Sequence, residues 1–256
     1  MNKKYMIVQE IFDPVSAALI TLVVTWAWQL IMDGISTILF SWKKKPNKDI
    51  KMSNICRVVT KDDDVQVIRL DIPEINAFNL GSKKLYYCAG LKDSAHMKDE
   101  EIVAILLHEY GHYIKGHRGK ILTRIYASLT IRSLILGWIP GIGPVLGPLL
   151  AHYILPYSPP VDVMRKQEYE ADNYVGQVGY KKQYVAAMNK LQMAMRTETC
   201  TQLKLDPRSE SCKNIVGILQ DQTEHGRLSD RIEAVTKSKI PKRVGVLKKL
   251  ISKVKQ

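Results

Sequence analysis

Two histidines stand four residues apart in His108-Glu109-Tyr110-Gly111-His112. On an α-helix that spacing puts both rings on one face, about one turn apart. Two imidazole nitrogens so placed can bind one zinc ion at about 2.0–2.1 Å. Glu109 can then reach a water in the open coordination position, take its proton and act as general base. The pattern speaks for metal-assisted hydrolysis, with a peptide bond as the first choice of substrate. The competing reading is a surface helix with two solvated histidines.

The residues around the pair weigh against that competitor. Asp99, Glu100 and Glu101 suit a helix start, with Asp99 as cap and the acids where the helix dipole favours negative charge. The run Ile102-Val103-Ala104-Ile105-Leu106-Leu107 then reads as a buried helix. Gly111 costs about 1 kcal/mol of helix stability relative to alanine. A glycine between the histidines makes sense if another element packs closely there.

A tetrahedral catalytic zinc needs a third protein ligand and leaves its fourth place to water. The other histidines are His96, His117, His152 and His225. His117 lies five residues past His112, about 500° around a continued helix, so it is expected to point away from the metal. The stretch Arg165-Lys166-Gln167-Glu168-Tyr169-Glu170-Ala171-Asp172 is patterned as another helix, with Glu168 and Asp172 on one face. Glu168 could bind the metal while Asp172 accepts a hydrogen bond from a ligating imidazole, fixing its tautomer. Glu170 is expected to take no part. Spacing alone leaves open whether Glu168 is a ligand or one of many exposed helix carboxylates.

These motifs together resemble the membrane zinc metallopeptidases of the HtpX and CaaX prenyl protease type. The resemblance runs from about Leu70 to Val235 with the motifs in the same order. In that family the third ligand is the first glutamate of a Glu-x-x-Ala-Asp motif, which here reads Glu168-Tyr169-Glu170-Ala171-Asp172. Arg165 matches the arginine before it, with Met164 in place of the usual serine. Asn76-Ala77-Phe78 resembles an edge strand that pairs with substrate backbone beside the metal. His225 and Arg231-Ile232 resemble a His-Pro…Arg-Ile element, although Gly226 stands where the proline would be. The resemblance implies one zinc on His108, His112 and Glu168, with Glu109 as base. Asp172, Arg165 and Arg231 would support the ligands, and His225 or a backbone donor would stabilise the oxyanion. It also implies a protein or peptide substrate and a role in membrane-protein quality control. An inactive scaffold of the same fold and a non-proteolytic zinc hydrolase are the alternatives. The presence of both histidines and the base speaks against the scaffold.

The elements that must position these residues sit in a chain of 256 residues, long enough for a sizeable core and one or two domains. Its 38 Lys+Arg against 25 Asp+Glu give +13, pointing to nucleic acid or an anionic membrane surface. Neither zinc-finger spacing nor aromatic-basic interleaving is present, so nucleic acid is excluded as partner and membrane lipid is expected. Cys56, Cys88, Cys200 and Cys212 form no C-x-x-C pattern and read as reduced residues of an intracellular chain, although Cys200 and Cys212 could close a short loop if oxidised.

Two stretches are unusually apolar. The first runs from Pro14 to Trp42, uncharged from Val15 to Met32, and 18 residues are near the lower limit for a bilayer span. Asp13-Pro14 suits its helix start, and Trp28 and Trp42 suit interfaces. A cleaved signal peptide and a buried core helix are the alternatives. The second, Ser133 to Ala151, carries no charge and is broken by Pro140, Gly141, Gly143, Pro144, Gly147 and Pro148. Because the chain must return to the zinc, this stretch is two crossings, a re-entrant loop or an interfacial hairpin. A shallow or tilted hairpin over residues 121–157 is preferred. Lys43, Lys44, Lys45, Lys48 and Lys51 after the first run place the catalytic part on the cytoplasmic side, at the cell inner membrane.

The expected fold class is α+β. It combines a mainly helical metallopeptidase domain over residues 43–236 with a small β-sheet and an N-terminal transmembrane helix within 1–42. The apolar hairpin is inserted in the domain. Strands are expected at Val65–Leu70 and Lys84–Cys88, with a turn at Asn79–Ser82 before the latter. Tyr184 to Arg196 reads as a helix with Val185, Met188, Leu191 and Met195 on its apolar face. Thr197 to Glu224 looks like a flexible insertion. Residues 237–256 read as a basic amphipathic helix, either lying on anionic lipid or packed on the domain.

Overall fold

The structure is a computed structural model, and it describes residues 16, 19–20, 22–24, 26–27, 31, 46–137, 160–221 and 228–237. In chain order the elements are β1 (Pro46–Lys48), α1 (Ile50–Thr60), β2 (Gln66–Leu70), β3 (Ala77–Asn79), β4 (Lys84–Cys88) and α2 (Gly90–Asp93). There follow α3 (Asp99–Ile114), α4 (His117–Gly137), α5 (Val161–Gln177), α6 (Lys181–Gln202), α7 (Glu210–Asp221) and α8 (Leu228–Lys237). The architecture is mainly helical with one small sheet, an α+β arrangement.

The chain divides into two units. One is Lys44–Arg118 with Pro160–Gln256, and the other is Met1–Lys43 with Gly119–Pro159.

In the first unit the strands run in the order β1-β2-β4-β3. The pair β2–β4 is parallel, while β1–β2 and β3–β4 are antiparallel. β3 therefore lies at the sheet edge, where Ala77 faces Tyr87 and Phe78 faces Tyr86. The Phe78 and Tyr86 rings stack at 5.2 Å, a cross-strand aromatic pair that pins the register. The turn into β4 closes through Asn79, whose Oδ1 accepts from the Gly81 N–H at 2.7 Å and whose Nδ2 donates to the Lys84 carbonyl at 3.0 Å. Asparagine side chains close turns in this way.

The helix α3 is the centre of the unit. Residues 101–108 are all buried, so it is apolar on nearly every side rather than on one stripe. It packs against α1, β3, β4, α5 and α6. Its cap is Lys98, not Asp99, and the Lys98 N–H donates to Glu101 Oε2 at 2.7 Å. Asp99 sits in the first turn instead, paired with Lys51 at 2.7 Å and Lys92 at 3.0 Å.

Three further readings are corrected. Thr197 to Glu224 is not a flexible insertion as a whole: α6 runs on to Gln202, and α7 fills Glu210–Asp221. Cys200 and Cys212 are joined by a disulfide with their Cα atoms 5.9 Å apart, which pins the two helices together. The pair is buried with Val216 in a small core of its own. Of the supposed apolar face of α6, Met188 is buried but Met195 is exposed.

The described residues of the second unit are helical. Trp26 stacks on Tyr126 at 4.8 Å and donates from Nε1 to Thr130 Oγ1 at 3.2 Å, so the first apolar run meets α4. Leu19, Val23, Ile31, Ile131 and Ile135 are exposed. Among the described residues, no helix is long and apolar enough to cross a membrane. Most of residues 1–42, the hairpin beyond Gly137 and the tail after Lys237 lie outside the described residues.

Candidate metal centre

The helices α3 and α5 cross at their two motifs. A Cβ added at Gly111 would meet Ala171 Cα at 3.1 Å, Ala171 O at 3.2 Å and Tyr174 Cβ at 3.3 Å. Gly111 lies between the histidines and Ala171 lies between Glu168 and Asp172. The missing side chain thus lets the two backbones approach at the turn that carries the candidate ligands, as the sequence suggested.

The approach brings three donors together. His108 Nε2 is 3.0 Å from His112 Nε2 and 3.4 Å from Glu168 Oε2, and His112 Nε2 is 3.4 Å from Glu168 Oε1. Among the described residues these atoms form a group that could hold a metal ion, all within 4.8 Å of one another. Donors about 2.0–2.1 Å from one ion at tetrahedral angles stand about 3.3–3.4 Å apart. Two imidazoles and a carboxylate at this spacing fit zinc. Glu109 follows His108 on α3 and is half-buried.

A buried polar network holds the donors. His108 Nδ1 is 2.9 Å from Asp172 Oδ1, so the proton on that nitrogen turns Nε2 towards the metal position. Arg231 on α8 grips Asp172 from Nε at 2.9 Å and from Nη2 at 2.7 Å, while its Nη1 is 2.8 Å from Glu168 Oε2. Tyr184 on α6 donates its hydroxyl to Asp172 Oδ1 at 2.5 Å, accepts from Arg231 Nη2 at 2.9 Å and stacks on His108 at 5.6 Å.

Charge in this network is balanced. Burial disfavours the imidazolium of His108, but hydrogen bonds to Asp172 and Glu168 outweigh it and raise its pKa to about 9. Burial would raise Asp172, yet Arg231 and His108 hold it down at about 2. Without a metal, the carboxylates of Glu168 and Asp172 face the cations of Arg231 and His108. A divalent cation would take over the role of that imidazolium. Burial lowers His112, which keeps its ring neutral and ready to ligate.

Of the residues singled out in the sequence, the structure brings His108, His112, Glu168, Asp172 and Arg231 together. Asn76, Ala77 and Phe78 lie at β3, with Asn76 exposed just before the strand. Arg165 is half-buried one turn before Glu168. His225 lies outside the described residues. One reading is overturned. His117 does not point away: its Nδ1 is 2.9 Å from His112 Nδ1, because Gly116 at φ +63° ends α3 and redirects the chain. Glu170, expected to take no part, lies with Oε2 3.0 Å from His117 Nε2. Tyr184 was missed, since nothing in its local sequence marks a long-range partner of Asp172.

Comparison with known proteins bears on this geometry. Residues 51–239 match the family described as peptidase family M48. The chain belongs to peptidase family M48. That is a family of metallopeptidases, and the matched segment contains the whole donor set. No curated protein matches. Among solved structures, this M48 chain is similar to the crystal structure of S. mikatae Ste24p, with a TM-score of 0.51 and 20% identity. The match covers 84% of this chain and 56% of that one, and it is a likeness of fold.

Proposed function

We propose that this protein is a membrane-associated zinc metalloendopeptidase. The observation that carries the reading is the meeting of His108, His112 and Glu168 at 3.0–3.4 Å between α3 and α5, backed by Asp172 and Arg231. His108, His112 and Glu168 would hold the ion. When bound, zinc supplies Lewis acidity at a carbonyl oxygen and lowers the pKa of water towards ~7.

The chain's own residues do the rest. Glu109 takes the proton of the attacking water and later delivers it to the leaving amine. The outer edge of β3, beside α3, aligns an extended substrate by strand addition, with Asn76–Phe78 as the pairing segment. Asp172, held by Arg231 and Tyr184, fixes His108 in the tautomer that leaves Nε2 free for the metal. The test is metal content and casein turnover of the purified full chain. One zinc per chain with turnover abolished by a chelator and restored by zinc supports the reading. A chain that binds no metal, or that binds zinc and hydrolyses no peptide bond, overturns it.

Membrane association rests on the uncharged run Val15–Met32, on the exposed apolar residues of the second unit, and on the +13 charge. The lysines at 43–51 favour a catalytic unit on the cytoplasmic face. The Cys200–Cys212 disulfide favours the opposite face, because such bonds persist in oxidising compartments. Alkylation of intact cells before lysis separates the two. A free pair supports the cytoplasmic face, and a bonded pair the other.

A further inference from the structure

Behind the second ligand histidine lies a buried chain of polar contacts that the peptidase chemistry does not use. His117 is 1% exposed, and its contacts include His112 and Glu170. Its Nδ1 is 2.9 Å from His112 Nδ1, with the rings edge to face at 4.9 Å, and its Nε2 is 3.0 Å from Glu170 Oε2. We propose that His117 and Glu170 form a brace that fixes the ring orientation and tautomer of His112, making both positioning residues for the metal. The proposal rests on the reading of His108, His112 and Glu168 as the ligand set.

The argument is one of proton placement. A neutral imidazole carries one N–H and one lone pair. His112 Nε2 faces His108 and Glu168, so a metal there takes the Nε2 lone pair. The ring proton of His112 must then sit on Nδ1, where the nearest group is His117 Nδ1. That nitrogen must accept, so His117 carries its own proton on Nε2 and donates it to Glu170. Each nitrogen has one role, and the direction runs from the ligand through His117 to the carboxylate. The reverse direction would put a proton on His112 Nε2 and remove it as a ligand.

The two ligand histidines are therefore supported differently. His108 donates straight to the buried carboxylate of Asp172 at 2.9 Å. His112 donates to an imidazole, which passes the demand to a carboxylate whose side chain is 37% exposed. Gly116 makes this possible, since a helix continued past Ile114 would carry His117 to another face. Without the brace, His112 can rotate about its side-chain bonds and adopt the tautomer with Nε2 protonated.

The test uses the metal-free full chain. Zinc affinity is measured by competition with a chromophoric chelator, and cobalt is added separately to read its visible absorption. His117→Leu fills similar space without an acceptor. It should weaken zinc by about 10–100-fold and alter the cobalt spectrum, as loss of a ligand's hydrogen-bond partner does. His117→Asn places a side-chain oxygen where Nδ1 stood and should recover most of both. Glu170→Ala, at a half-exposed site where misfolding is not a concern, should weaken zinc several-fold. In the double variant His117→Leu/Glu170→Ala, the affinity should equal that of His117→Leu alone, because both lie on one chain. Wild-type affinity in His117→Leu, equal losses in the Leu and Asn variants, or additive losses in the double variant would each overturn the brace. A Glu168→Ala chain with unchanged zinc affinity would instead overturn the ligand set on which it rests.

Discussion

Replacing Arg231 by leucine should destabilise the metal-free protein more than any other single change at the site. Arg231 is 5% exposed and neutralises two buried carboxylates, with Glu168 at 2.8 Å and Asp172 at 2.7 and 2.9 Å. Removing one partner of a buried ion pair leaves uncompensated charge and costs about 3–5 kcal/mol. For a chain of this size each kcal/mol lowers the melting temperature by about 2–4 °C, so the drop should be about 6–20 °C. Tyr184→Phe removes only a hydroxyl that bonds to charged groups, at about 1.5–3 kcal/mol, and should melt between Arg231→Leu and wild type. Arg231→Lys keeps the charge but not the forked geometry, and should also fall between them. Thermal unfolding of the three metal-free variants, followed by circular dichroism, gives the order. An Arg231→Leu protein melting within about 2 °C of wild type would refute the claim that this cation balances the site.

Three other outcomes are expected. Gly111→Ala gains helix propensity of about 1 kcal/mol but forces a Cβ to 3.1 Å from Ala171 Cα, so zinc affinity should fall clearly while the melting temperature changes little, as chelator competition and unfolding would show. Lys190, 2.7 Å from Glu101, helps hold that carboxyl below its ordinary 4.5 against the opposing effect of burial. The stability this supplies is present above pH 4.5 and lost as pH falls through the lowered value. Denaturant titrations should therefore show Lys190→Met weakest relative to wild type at neutral pH, with the gap closing in acid. The full chain should pellet with membranes and resist alkaline carbonate, and removal of residues 1–42 should weaken but not abolish this.

Much of the site was legible because the chemistry lies on helices of fixed period. The i,i+4 spacing gave His108 and His112 one face, the same spacing paired Glu168 with Asp172, and Gly111 announced a close neighbour. The edge strand followed from the family resemblance at Asn76–Phe78, one residue before the observed Ala77–Asn79. What escaped were contacts set by tertiary packing. Tyr184 reaches Asp172 from a third helix, and helical periodicity says nothing of which helices meet. His117 was misplaced by carrying the helix through Gly116, although a glycine there was itself a stop signal. The helix α7 was hidden because a small core built on Cys200, Cys212 and Val216 leaves little apolar pattern, and the Cys200–Cys212 bond was open only as an alternative to reduced thiols.

The central claim is that Glu109 is the proton carrier of a zinc peptidase held by His108, His112 and Glu168. Glu109→Gln keeps the shape and hydrogen bonding of the side chain but cannot accept the proton. The decisive measurement is zinc stoichiometry together with the peptide hydrolysis rate of that variant. The account predicts one zinc per chain, as in the wild type, with hydrolysis reduced by about 10²–10⁴-fold or more. Hydrolysis near the wild-type rate with zinc still bound would contradict it.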